Sequence, residues 1–124
     1  MLSQGFDHSR VTALRHTVAS RAGHAGLSGD RLDDFVAAVN ELLTNAVRHG
    51  GGSGHLQLWR AGGEVVCEVT DRGDGMPTGA APHERPAPED PGGRGLWLAA
   101  ELTDAIRVTS GDGGTAVRIS TRVE

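Results

Sequence analysis

Three clusters of residues in this chain have the types and spacing to do chemistry. Glu41, Asn45 and His49 recur every fourth residue, so on a helix they form one shallow stripe beside an otherwise apolar face. Polar groups at the margin of a core need partners, although Glu and Asn on a helix are also the ordinary makings of its solvated side. The run Asp71-Arg72-Gly73-Asp74-Gly75 follows directly on an apolar alternating segment. A carboxylate at a strand end can accept a directional hydrogen bond from an amino group, and Gly73 and Gly75 permit close ligand approach; a plain Asx-type turn fits the same residues. A calcium loop does not fit, because the twelfth position, where a bidentate Glu belongs, is Pro82. Finally, Gly92-Gly93-Arg94-Gly95-Leu96 opens an apolar-periodic segment, and a Gly-rich turn running into free helix N–H groups is a natural phosphate site.

The elements that must position these residues are legible from periodicity. Val11, Leu14, Val18 and Ala22 recur at helical spacing over residues 7–22 and predict a surface helix. Asp30 can N-cap a second helix over 31–49, whose stripe of Phe35, Val39, Leu42, Leu43, Ala46 and Val47 ends at Gly50, Gly51 and Gly52. Leu56 and Leu58, then Val65, Cys67 and Val69, alternate on two strands joined by Ala61-Gly62-Gly63, a β-hairpin. Residues 71–92 hold all five Pro and few apolar side chains, and a structureless loop of that length in a compact domain is usually functional or disordered. A third helix is expected over 95–104 through Leu96, Leu98, Ala99 and Leu102, and a second hairpin pairs 105–109 with 115–123. The order α, α, β, β, loop, α, β, β predicts one α+β domain over 1–124: a two-layer sandwich whose mixed, mostly antiparallel sheet carries helices on one face.

Composition excludes several function classes. Sixteen acidic residues against twelve basic ones give a formal charge of -4, a field that repels nucleic acid and anionic lipid. All twelve basic residues are Arg, so there is no Lys for a phosphate loop, a protein-kinase-type strand or a Schiff base. The single Cys67 allows no intrachain disulfide and reads as core filler. His49 and His55 make a poor zinc site without further ligands at zinc-like spacing. Trp59 and Trp97 read as packing or partner contacts. Neither a signal-peptide-like start nor an apolar run of membrane-spanning length is present in these residues, so the expected location is cytoplasmic.

Taken in order, Glu-Leu-Leu-Thr-Asn-Ala-Val-Arg-His at 41–49, Asp71-x-Gly73-x-Gly75, a long loop and Gly93-x-Gly95-Leu96 resemble the ATPase superfamily of gyrase, the heat-shock chaperone, histidine kinases and mismatch-repair proteins. The short length, the Glu-x-x-x-Asn-x-x-x-His stripe and Gly114-Thr115 before the last strand look most like the stand-alone anti-sigma-factor serine/threonine kinases. The resemblance covers about residues 10–122 and implies the histidine-kinase-like ATPase fold. It implies ATP and Mg²⁺, with Asn45 giving its side-chain oxygen to the metal and the phosphates and water completing the shell. It implies that Glu41 orients or deprotonates an attacking hydroxyl, with His49 at the phosphate end of the stripe. It further implies that Asp71 accepts from the adenine amino group, that Gly73, Gly75, Met76 and Thr115 belong to the same pocket, that 76–92 forms a lid, and that Gly93, Arg94, Gly95 and Leu96 meet the phosphates.

On that resemblance the expected activity is transfer of the ATP γ-phosphoryl to a Ser or Thr of an anti-sigma-factor antagonist, regulating transcription by partner switching, with a sigma factor as a further partner and a homodimer as an option. The alternative is a nucleotide-sensing module that sequesters a sigma factor or another partner without phosphoryl transfer. The chain departs from a full histidine kinase in having no dimerisation and phospho-acceptor helix pair. It is also expected to lack a strand before the first helix, since MLSQGFD is short and polar.

Overall fold

The computed structural model describes residues 2–49, 51–71, 93–111 and 114–123. Its elements run β1 (Leu2–Asp7), a short 3-10 helix (His8–Arg10), α1 (Val11–His24), α2 (Gly29–His49), β2 (Ser53–Ala61), β3 (Glu64–Asp71), α3 (Gly93–Leu102), β4 (Ala105–Gly111) and β5 (Gly114–Arg122). The strands form one sheet in the order β1-β2-β3-β5-β4, with every neighbouring pair antiparallel. The mixed sheet of the sequence reading thus becomes a fully antiparallel one among the described strands. Strand β5 returns between β3 and β4, so the two strands joined through α3 never become neighbours.

The helices cover one face of this sheet. Helix α2 is the spine of the core: Phe35, Ala38, Val39, Leu42, Leu43 and Ala46 are all buried on it. They meet Leu14, Val18 and Ala22 of α1, Leu96 and Ala99 of α3, and the inward residues of the sheet, Leu56, Leu58, Val65, Cys67, Val69, Val117 and Ile119. Each fully buried large side chain contributes about 1.5–3 kcal/mol relative to exposure. Cys67 is wholly buried among them, and burial pushes its thiol up, away from thiolate chemistry.

Four local readings are corrected. The first strand exists: β1 pairs with β2, Leu2 opposite Leu58, Gln4 opposite Leu56 and Phe6 opposite Gly54. An edge strand needs one ladder and one apolar face, and Leu2 and Phe6 supply that face. A Cβ on Gly54 would lie 2.6 Å from the Thr70 carbonyl oxygen and 2.9 Å from Phe6, so only glycine lets Phe6 cross there. Asp7 closes the strand by accepting from the backbone N–H (3.0 Å) and hydroxyl (2.6 Å) of Ser9, which shifts the start of α1 to Val11. Helix α2 begins with Leu32 N–H donating to the Ser28 carbonyl at 3.2 Å, so Asp30 sits inside the first turn and is not the cap. The hairpin connector is two residues, Gly62 and Gly63, because Ala61 still pairs with Glu64. At its other end α2 stops where expected, before Gly51 and Gly52, which hold φ of 85° and 91°.

Candidate nucleotide site

Two groups of residues carry the polar side chains that the motifs single out. The first is a row across the sheet: Asp71 on β3 faces Thr115 on β5, and Thr115 faces Ser110 on β4. Residues directly opposite in an antiparallel sheet share a face, so register alone aligns these three polar side chains. The Thr115 backbone N–H donates to Asp71 Oδ1 at 3.3 Å, and the Ser110 and Thr115 hydroxyls lie 3.3 Å apart. Thr115 is buried, and the row opens on a cleft of about 820 Å³ bounded also by Ser53, Gly54, His55, Thr70, Thr109, Gly114 and Ala116. That volume lies in the range of small-molecule sites, roughly 300–1,000 Å³.

The second group lies where α3 packs along α2. Asn45 is only 7% exposed and so does not belong to a solvated helix side. Glu41, one turn earlier, is half-buried, and its carboxylate reaches the first turn of α3 beside Gly95. Burial raises the Glu41 carboxyl above its ordinary value, with the Arg48 guanidinium on the same helix acting in the opposite direction. A carboxylate whose charge is held at a cost is a better proton acceptor than a solvated one, as general-base chemistry requires.

The described residues therefore bring Asp71 together with Thr115, and Glu41 together with Gly95. Glu41, Asn45, Gly95 and Leu96 do not line the 820 Å³ cleft itself. His49 is the last residue of α2, and Gly93 and Arg94 open α3. The Leu96 side chain is 2% exposed and belongs to the core, so what it can offer a ligand is its backbone N–H. Gly73, Gly75 and Met76, with the lid expected over 76–92, lie outside the described residues. Ser110 was missed by sequence reasoning; the signal that finds it is the hairpin register that sets it opposite Thr115.

The donor set can be tested against the groups that the motifs imply. Among the described residues no three His, Cys, Asp or Glu converge to hold a metal. A single amide oxygen at Asn45 instead suits a hard cation that takes its other ligands from phosphate and water. The Asp71 carboxylate, which accepts from the Thr115 N–H and lines the cleft, is an acceptor suited to an amino group.

The chain belongs to the family described as the histidine kinase-like ATPase domain, whose model matches residues 6–121. It is 36% identical over 97 residues to the signal transduction histidine-protein kinase AfsQ2 of Streptomyces coelicolor, a match covering 70% of this chain and 17% of that protein. Among solved structures it resembles the RsbU and RsbW domains of Rv1364c from Mycobacterium tuberculosis, with TM-score 0.71 at 22% identity, covering 99% of this chain and 33% of that one. It also resembles the mycobacterial sensor histidine kinase MprB, with TM-score 0.62 at 20% identity, covering 98% and 97% of the two chains. At these identities the structural likenesses speak for the fold. Among the described residues no helix is long and apolar enough to cross a membrane.

Proposed function

We propose that this domain binds ATP with Mg²⁺ and transfers the γ-phosphoryl to a Ser or Thr hydroxyl of a small partner protein, in the manner of an anti-sigma-factor kinase. The observation that carries the reading is the Glu41–Asn45 pair: a half-buried carboxylate with a raised pKa, one helical turn from a buried amide. Asp71, held by the Thr115 N–H, accepts from the adenine amino group, with Gly73, Gly75 and Met76 completing the base end. Asn45 holds the metal, which neutralises phosphate charge when bound. His49, Gly93, Arg94 and the N–H groups of Gly95 and Leu96 face the phosphates. Glu41 accepts the hydroxyl proton as the substrate oxygen bonds to the γ-phosphorus, and ADP leaves with the electron pair of the broken P–O bond. Residues 76–92 close over the nucleotide, and the working place of such a domain is the cytoplasm.

The resemblance of the motifs at 41–49, 71–75, 93–96 and 114–115 to anti-sigma-factor kinases supports a Ser/Thr acceptor on an antagonist protein. The test is transfer of labelled γ-phosphate from ATP to a purified anti-sigma-factor antagonist protein that carries a Ser or Thr acceptor. The expected result is acid-stable phospho-Ser or phospho-Thr, lost at least a hundredfold in Glu41→Ala. Acid-labile phosphohistidine would overturn the Ser/Thr assignment, and nucleotide binding without any transfer would leave the sequestering module as the function.

A further inference from the structure

Gly95 lies in the first turn of α3 without a positive φ, so its backbone conformation is open to any L residue. Glycine inside a helix is costly relative to alanine, because it loses more backbone freedom on folding. A Cβ placed on it would meet, among the described residues and outside its own helix, one side chain only: Glu41, with Oε2 at 3.0 Å and Cβ at 4.0 Å. The first distance is shorter than ordinary nonbonded contact of roughly 3.5 Å. Among the described residues no backbone atom outside its own helix comes within 4 Å. What the missing methyl makes room for is therefore the carboxylate of Glu41.

We propose that Gly95 is a positioning residue for Glu41: the bare first turn of α3 is the seat in which the carboxylate lies, and the seat fixes where that oxygen stands relative to the substrate hydroxyl. This rests on the proposed role of Glu41 as proton acceptor. Helix α2 alone leaves the side chain free to swing about its own torsions; the wall of α3 removes that freedom and part of its water. The desolvation that raises the Glu41 carboxyl agrees with such a seat. Among the described residues the charged group acting on it is Arg48 of its own helix; α3 carries two charged residues, Arg94 directly before Gly95 and Glu101 near its end. A reactive oxygen misplaced by about 1 Å can cost on the order of a hundredfold in rate.

The test is Gly95→Ala in the full chain, read three ways. Carbon-detected titration of the Glu41 carboxyl needs no substrate: displacement into solvent is expected to lower its midpoint toward the ordinary Glu value, and an unchanged titration overturns the proposal. Glu41→Asp, which withdraws the carboxylate from the seat by one methylene, should titrate at the ordinary Asp value; a midpoint still held above that value overturns the seat, which keeps the question answerable if Gly95→Ala does not fold. With a fluorescent ATP analogue, any loss of affinity in Gly95→Ala is expected to be smaller than its loss of transfer, which should be at least tenfold. A loss of affinity that accounts for the whole loss of transfer would instead assign Gly95 to phosphate contact and overturn positioning. In the Glu41→Gln background Gly95→Ala should change transfer by less than twofold, because its target is already gone; additive losses overturn the proposal. If wild type binds no ATP, the proposed function fails while the titration still decides the positioning.

Discussion

Glu41→Gln separates the stability of this domain from its proposed chemistry. The substitution keeps the shape and removes the charge. Because burial raises the Glu41 carboxyl in the folded state, that state holds the proton more tightly than the unfolded chain. Stability is then full below the unfolded value near ~4.3 and is lost as the pH rises through the higher folded value. At pH 7 the wild type carries this whole cost, and the Gln variant carries none. The side chain is only half-buried, so solvent screening holds the cost to about 0.5 kcal/mol. For a domain of this size that amounts to roughly 2 °C in Tm. Thermal unfolding followed by circular dichroism is expected to place Glu41→Gln about 2 °C above wild type at pH 7, with the gap shrinking at pH 4. A variant that melts below wild type at pH 7, or an advantage indifferent to pH, would refute the burial argument. The same substitution should lower transfer about a hundredfold while leaving a measurable remainder, the usual exchange of stability for a functional group.

Thr121 buries a hydroxyl that has no hydrogen-bond partner among the described residues. Thr121→Val should therefore gain on the order of 1 kcal/mol in chemical denaturation, and a loss would mean that the hydroxyl is satisfied. Gly54→Ala forces a methyl against the Thr70 carbonyl and the Phe6 ring; at least ~2 kcal/mol should be lost, with faster amide exchange along β1. The Asp7 carboxyl is held below its ordinary value, first by the Ser9 hydroxyl and then by the Ser9 N–H. Its stabilisation is present above the unfolded value near ~3.9 and is lost as the pH falls through the lower folded value. Asp7→Ala should thus melt lower than wild type at pH 7, the gap narrowing below about pH 4. A pH-independent gap would remove the electrostatic part of that reasoning.

Much of the fold follows from periodicity, and the failures have physical causes. Helix α2 was legible to within two residues because Phe35, Val39, Leu42, Leu43 and Ala46 repeat over a wide stripe that only a helix can bury on one side. Strand β1 was not, because an edge strand pairs once and buries once, so Leu2 and Phe6 sufficed and left no alternating run. Asp71 could be picked out as a strand-end carboxylate, whereas its contact with Thr115 depends on a pairing across 44 positions of sequence. Thr115 was reached only through a family resemblance, and Ser110 only through the register of the final hairpin. The sequence around Asn45 fits a solvated helix side as well as a core margin, and only the tertiary packing on α2 buries it. The meeting of Glu41 with Gly95 has no linear signature at all, since it arises from how two helices 54 positions apart pack.

Calorimetric titration of the purified chain with ATP, with and without Mg²⁺, beside Asp71→Ala, tests the nucleotide site most directly. Binding that needs Mg²⁺ and weakens at least about tenfold in Asp71→Ala is expected, the loss of one hydrogen bond to a charged acceptor being about 1.5–3 kcal/mol. Absence of binding by the wild-type chain, or binding indifferent to Asp71, would contradict the assignment of this cleft to ATP.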